Sequence, residues 1–377
     1  NYTLTGGTHQ LTVNQRPLNA TLARQYDATT TSAGSTLSSF DALQGGETLT
    51  MSGSGTAASA NVANGIAMSS NGNLALVDGT GLASNYSLNS TVINIAQRIL
   101  NSSGSKTYDG NTNAIASNVT LSNLAGGQTL NHSGTATLGS KNVASSTISN
   151  LTGISIADGT GTASNYTLTG GTHAFTVNKR VVNVSGTRLY NALSTAVASD
   201  LSTMTNLVGS ETLVLSNSGT LANANVGSNK TVTIGSLSLA NGSNGGLAAN
   251  YTLTGGTHQL TVNQRPLVAT IARYYDGSVN AAGSDISSFN ALQGGEALTM
   301  TGTGTVSSKN VANGQSVTVG SLALADGTGS ASNYSLNSAT LNITQKPINT
   351  AYLSRTYNAS TVVAGSSLSS MTNLVGS

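Results

Sequence analysis

The chain has few residues whose types could do chemistry. Among 377 residues there are 12 Asp and Glu, 4 His and no Cys. The lack of Cys excludes thiol catalysis, disulfide frameworks and Cys-ligated zinc or iron–sulfur sites. His9, His173 and His258 share the context G-G-T-H but are 164 and 85 residues apart. No stretch offers two or three ligands at metal spacing, so these side chains are expected at the surface, at strand starts. His132 stands alone and reads the same way. Asp78, Asp158 and Asp326 open D-G-T-G turns, and Asn241 replaces the Asp in a fourth. One carboxylate per turn falls short of the 6–8 oxygens calcium takes.

Glu47, Glu211 and Glu296 follow G-[GS], with Gln128 at the matching place. Paired acid–base chemistry needs a second carboxylate nearby, and Gln could not transfer the proton. These residues read as turn positions leading into strands. No G-x-S-x-G elbow supports a nucleophilic Ser. Lys141-Asn142 and Lys309-Asn310 present the pair that condenses to an isopeptide crosslink in some surface-fibre sandwiches, but Ala60 stands at the matching place before Asn61. The expectation is therefore no catalytic, cofactor-binding or metal residue, no cofactor and no enzymatic activity.

Charge and hydropathy narrow the partners. Lys and Arg total 14 over the whole length and the formal net charge is +2, so there is no basic patch for a nucleic acid backbone. No apolar run reaches the ~18–20 residues of a membrane span, so no membrane insertion is expected in this segment. With 54 Ser, 53 Thr, 41 Asn and 44 Gly, about half of the chain is small residues. Leu, Ile, Val and Phe make up about a fifth, near the level that signals disorder. Disorder usually also brings high net charge or Pro and Gln enrichment, and neither is present. Whether the chain folds depends on how its apolar residues are spaced.

That spacing is repetitive. Asn1–Leu18, NYTLTGGTHQLTVNQRPL, recurs letter for letter at Asn250–Leu267. Two tyrosine markers recur with it. One follows Asn at Tyr2, Tyr86, Tyr166, Tyr251 and Tyr334; the other precedes Asp or Asn at Tyr26, Tyr108, Tyr190, Tyr275 and Tyr357. They account for ten of the 12 tyrosines and are expected to be structural. A basic residue opens each unit: Arg16, Arg98, Arg180, Arg265 and Lys346. The organisation expected is a tail of a preceding repeat at 1–15, repeats at 16–97, 98–179, 180–264 and 265–345, and the start of a further repeat at 346–377. The chain is expected to be a piece of a longer tandem array. A repeat of ~82 residues exceeds the 20–45 of a solenoid unit and suits a small β domain.

Inside each repeat the apolar residues alternate. Q-L-T-V-N at Gln10–Asn14, E-T-L-T-M at Glu47–Met51, S-V-T-V at Ser316–Val319 and T-L-N-I-T at Thr340–Thr344 read as strands. Leu11 with Val13, and Leu341 with Ile343, are expected on a buried face. Asn313-Gly314 and Asp326-Gly327 read as tight turns. The fold expected is all-β: tandem immunoglobulin-like antiparallel sandwiches, with a β-solenoid as the alternative. The segments from D/N-G to N-Y-x-L (Asp78–Leu88, Asp158–Leu168, Asn241–Leu253, Asp326–Leu336) carry a Tyr near a strand start. They resemble the tyrosine corner, in which the hydroxyl bonds back to a nearby backbone group. Otherwise that Tyr is simply the largest core side chain.

K-T-Y-D-G at Lys106–Gly110 with Thr112 and Ala114, and Y-D-G at Tyr275–Gly277, resemble the signature of the bacterial YDG domain. The Asn-Tyr-x-Leu segment and the closing strand are similar to that domain and to the related MBG repeats. The resemblance covers the whole chain as tandem copies. It departs at Ala28, and at Tyr190-Asn191 and Tyr357-Asn358, which lack both Asp and Gly. Such repeats occur in large secreted bacterial surface proteins, including filamentous-haemagglutinin-like adhesins. The resemblance implies an extracellular stalk or spacer whose partners are the neighbouring repeats of the same chain. A segment of a fibre, held by strand pairing between identical chains, is the second expectation, and direct adhesion to a glycan, a surface or ice is a third. From strands of 5–10 residues at ~3.4 Å each, such a stalk would span roughly 130–180 Å.

Overall fold

The computed structural model describes every residue except Leu4, Thr152, Asn349, Thr350, Ser366, Ser367, Gly376 and Ser377. The chain divides into two compact units, Asn1–Lys179 and Arg180–Ser377. It is all-β, built of tandem sandwich-like repeats, and the described residues hold short 3₁₀ turns but no α-helix.

The first repeat sets the pattern. Its strands are β1 (Arg16–Gln25), β2 (Thr31–Ala33), β3 (Leu37–Phe40), β4 (Leu49–Ser52), β5 (Ser54–Ala57), β6 (Ala63–Ser70), β7 (Ala75–Asp78) and β8 (Tyr86–Ala96). The main sheet runs β2-β5-β6-β8-β1-β3, and β4 pairs with β7 apart from it. Alternation aims Leu18, Ala20 and Leu22 of β1 and Ile93 and Ile95 of β8 inward, each at most 1% exposed. Met51 of β4 packs against that face. A fully buried Leu or Ile contributes about 1.5–3 kcal/mol, so a few such residues per strand stabilise a repeat in a chain this poor in apolar side chains. Arg265–Tyr274 and Tyr334–Thr344 repeat the arrangement in the second unit, with Ile271, Leu341 and Ile343 in the core.

In each repeat the pairing of the first and last strands departs from the antiparallel expectation. The first and last strands of the repeat, β1 and β8, run parallel, with Leu18 opposite Leu88, Leu22 opposite Ile93 and Arg24 opposite Ile95. Arg265–Tyr274 and Tyr334–Thr344 do the same. A parallel pair needs a long crossover, and β2 to β7 supply it. This closure of each repeat on itself excludes the solenoid alternative. It also lets the chain enter at one end of the sheet and leave at the other. After β8 a single residue, Gln97, precedes the next strand at Arg98.

Two expectations are corrected. Leu11 and Val13 are not buried; they are 87% and 84% exposed and lie outside any strand. Their letter-for-letter counterparts Leu260 and Val262 are 0% and 1% exposed, because His258–Asn263 lies between Asn183–Leu189 and Gly227–Thr231. Alternation marks a strand that can be buried, and burial needs neighbours on both edges. Asn313-Gly314 is not a tight turn between strands but a bulge inside Ala312–Val317. There Gly314 has φ +69° and its N–H donates to Asn342 Oδ1 at 2.7 Å.

The two copies of one sequence give a direct test. Leu260→Ala should cost about 2–5 kcal/mol by leaving a cavity. Leu11→Ala should stay within about 0.5 kcal/mol. Urea denaturation of the two variants checks this, and equal costs would contradict the burial difference.

Candidate functional site

The side chains the sequence singled out gather at the ends of the repeats. In the first repeat the D-G-T-G turn leads into the 3₁₀ turn Ala83–Asn85, which delivers Tyr86 to the start of β8. Asp78 Oδ1 holds this loop by accepting the Ala83 N–H at 2.6 Å. Asp158 and Asp326 do the same for Ala163 and Ala331, each at 2.7 Å, and Asn241 for Ala248 at 2.8 Å. Only an acceptor oxygen is needed, which is why Asn serves as well as Asp.

The Tyr hydroxyl then meets the residue after G-[GS]. Tyr86 donates to the Glu47 carboxylate. Tyr166 donates to Gln128 Oε1, Tyr251 to Glu211 Oε2 and Tyr334 to Glu296 Oε2, each at 2.6 Å. Each phenol oxygen also accepts a backbone N–H, from Gln44 at 3.2 Å, Ala125 at 3.2 Å, Val208 at 3.0 Å and Gln293 at 3.1 Å. The hydroxyl thus bonds to backbone, as a tyrosine corner does, but to a residue 41–43 positions upstream rather than nearby. The second glycine of D-G-T-G makes room for the acceptor. A Cβ at Gly81 would stand 2.7 Å from Glu47 Oε2, and one at Gly329 would stand 2.7 Å from Glu296 Oε2.

The other tyrosine marker reaches the same acceptor from the preceding repeat. In the first unit Gln128 Nε2 donates to Tyr26 Oη at 3.0 Å, and the Tyr26 and Tyr166 rings meet edge to face at 5.3 Å. In the second unit Tyr190 donates to Glu296 Oε1 at 2.6 Å, and the Tyr190 and Tyr334 rings also lie 5.3 Å apart. One acceptor side chain therefore serves two tyrosines from adjacent repeats.

The asparagine before the second tyrosine completes the joint. Asn165 Oδ1 accepts the Val62 N–H at 2.9 Å, and Asn165 Nδ2 donates to Asn61 Oδ1 at 2.9 Å. Asn333 repeats this with Val226 at 2.9 Å and Asn225 at 3.1 Å. Arg265 Nε donates to the Tyr190 carbonyl at 2.7 Å. The apolar core is continuous through the first joint, where Tyr26, Leu100, Ala125 and Tyr166 join Leu22 and Ile93 in one cluster.

Several of these roles were missed from sequence. Glu47, Glu211, Glu296 and Gln128 are acceptors for tyrosine as well as turn residues. Asn61 and Asn225, in the loop where the crosslink idea placed Asn142 and Asn310, bond to another Asn. The cation two residues before the first tyrosine was also overlooked. Lys106, 8% exposed, donates to the carbonyls of Asn111 and Asn113 at 2.8 Å each and pairs with Asp109 at 2.8 Å. Arg24 pairs with Asp27, Arg273 with Asp276, and Arg188 with Asp200 at 3.1 Å. The recurring R/K-x-Y was the available signal. The histidine expectation is corrected in part: His173 and His258 do open strands, but not at the surface. His258 is buried and His173 half-buried, and their Nε2 atoms lie 2.8 and 2.9 Å from the Leu253 and Leu168 carbonyls. His132 is half-buried within Leu130–Leu138, while His9 is exposed. Among the described residues no three His, Asp or Glu come together as a metal site.

Of the marker tyrosines, Tyr26, Tyr86, Tyr108, Tyr166, Tyr190, Tyr251 and Tyr334 are at most 5% exposed. Tyr275 is half-buried and Tyr357 is 88% exposed.

Within each unit the geometry defines a tandem pair of small all-β repeats joined by shared tyrosine contacts. A family model described as YDG domain matches residues 9–93, 95–174, 176–259 and 258–341. The chain belongs to the YDG domain family. No curated protein matches it. The third residue of Y-D-G has a backbone reason. Gly110 and Gly277 have φ +81° and +78°, and where this sequence departs, Ala28 and Ala192 are held at φ +65° and +62°.

Two predictions follow from this geometry. Left-handed Ala is strained, so Ala28→Gly or Ala192→Gly should raise stability by about 0.5–1 kcal/mol; denaturant melts check this, and destabilisation would refute it. Burial, then the Glu211 carboxylate, pushes the Tyr251 phenol up to about 12, and burial with Glu296 does the same to Tyr334. Tyr190 is raised for the same reasons. A raised phenol favours the fold fully below its ordinary value of 10 and loses that contribution as pH rises through about 12. Tyrosinate absorbance should show a late phase near pH 12, coincident with loss of structure. In Glu296→Gln the Tyr334 phase should move toward 10.

Proposed function

We propose that the chain is a structural spacer, a stalk of tandem YDG repeats in a large extracellular bacterial surface protein of the adhesin kind, related to MBG-bearing proteins. The observation that carries this reading is the joint. Tyr190, Glu296 and Tyr334, with Asn225 and Asn333, lock one repeat to the next through side chains that recur along the sequence. A contact specified in each repeat suits a part whose task is to repeat. Entry and exit at opposite ends of each sheet support the same reading, since every added repeat carries the chain onward. The low charge suits a surface indifferent to ionic strength. The partners are the neighbouring repeats, and the proposal assigns the chain no reaction and no cofactor.

A fibre segment held by strand pairing is the second reading, and one observation favours it. In the main sheet of the first repeat the outer strands β2 and β3 are each hydrogen-bonded to one strand alone, and such edges template pairing. Filaments seen by electron microscopy at rising concentration would support it; a monodisperse monomer would leave the stalk reading alone.

Small-angle scattering tests the stalk directly. The expected pair-distance function is that of an elongated particle with a maximum dimension of roughly 130–180 Å. A compact globule would overturn the proposal.

A further inference from the structure

We propose that Lys106 and Asn111 condense to an intramolecular amide, with Asp109 as the catalytic carboxylate and ammonia as the leaving group. The site is a self-modifying loop in the second repeat, and it does not depend on the stalk reading.

Comparison of the repeats singles this loop out. The cation two residues before the first tyrosine marker is Arg24, Arg188, Arg273 and Arg355 elsewhere, and five residues on stand Thr29, Leu193, Ser278 and Ser360. Each of those arginines donates to the backbone carbonyl at that later position. Lys106 does the same to Asn111, so the loop is built alike. Only the second repeat combines an amine with a carboxamide there. A guanidinium stays protonated and is no nucleophile, whereas a lysine amine is one once a base has taken its proton.

The reacting groups are in contact. The Lys106 side chain is 5% exposed, and its Nζ lies 2.8 Å from Asp109 Oδ1 and 3.0 Å from Asn111 Oδ1. The Asn113 N–H donates to the same Asn111 Oδ1 at 2.8 Å. It polarises the carboxamide and faces the oxygen on which charge develops when Cγ is attacked. Burial would raise the Asp109 carboxyl, but hydrogen bonds from Lys106 and the Asn111 N–H hold it below its ordinary value, leaving a carboxylate to accept a proton.

Asp109 takes a proton from the ammonium. The freed Nζ pair attacks Asn111 Cγ, and the carbonyl pair moves onto Oδ1. When that pair returns, the bond from Cγ to Nδ2 breaks. Nζ gives up two protons in all, and both leave on the departing nitrogen as an ammonium ion. The chain thus sheds NH3 and one positive charge. The new amide ties the end of Asn101–Thr107 to the approach to Asn113–Ile115, across the loop that holds the fully buried Tyr108.

Mass spectrometry of the purified full chain tests this. The expected intact mass is about 17 Da below that of the sequence. Trypsin should leave the peptide 99–141 uncut at Lys106 and about 17 Da light. Lys106→Arg and Asn111→Ser copy Arg273 and Ser278 of the fourth repeat, so both variants should fold, and both should restore the full mass. Asp109→Asn copies Asn191 of the third repeat and should slow the loss about 10²–10⁴-fold. An unshifted mass in the unaltered chain would overturn the proposal. So would a loss that survives Lys106→Arg, since an Asn can also shed ammonia by closing on its own backbone. A loss of about 18 Da would place the amide on Asp109 and overturn Asn111 as the electrophile. An undiminished rate in Asp109→Asn would overturn the catalytic role of that carboxylate.

Discussion

A buried phenol must be hydrogen-bonded, and in this chain that requirement organises the rest. The core of each repeat is built from few large side chains, and tyrosine is by far its commonest aromatic. Burying a ring contributes apolar area, but its hydroxyl is costly without a partner. The acceptors at Glu47, Gln128, Glu211 and Glu296 meet that need. Their position in turn explains the glycine that clears space for them, the Asp or Asn that holds the loop, and the asparagine beside the ring. Because Gln128 and Glu296 also serve a tyrosine from the preceding repeat, the same requirement joins neighbours.

Much of this could be read in the sequence, and the physical reasons for the rest are specific. Strand alternation is local, so Leu341 and Ile343 were placed in the core correctly. It says nothing about which strands flank a segment, so Leu11 and Val13 were placed there wrongly. The parallel pairing of first and last strands is a property of topology that no window of residues contains. The joint escaped for a similar reason: Tyr26 and Gln128 are 102 residues apart, and Tyr190 and Glu296 are 106. The exchange of Glu for Gln excluded proton transfer, yet for hydrogen-bond acceptance the two are equivalent. The same substitution that ruled out one role was compatible with another.

The buried cations show how a small polar chain tolerates charge inside. Lys106 is nearly covered, yet its ammonium meets two carbonyls and Asp109. Burial alone would raise the Asp109 carboxyl, but hydrogen bonds from Lys106 and the Asn111 N–H, with the Lys106 charge, hold it below its ordinary value. Arg24 and Arg273 play the same part beneath the loops that follow Tyr26 and Tyr275. These loops contain few apolar residues, and a central cation that gathers carbonyl oxygens gives them a fixed shape that packing could not.

The parallel closure of each repeat has a mechanical consequence. The strand by which the chain enters, Arg16–Gln25, lies hydrogen-bonded beside the strand by which it leaves, Tyr86–Ala96, along their whole length. Tension applied through the polypeptide pulls the start of one strand against the end of the other, so the two are loaded in shear. The evenly spaced bonds of a parallel ladder then share the load and must fail together rather than peel one at a time. Each repeat is thereby its own force-bearing clamp, and the resistance of the chain to stretching is set by its weakest single clamp rather than by the number of repeats in series.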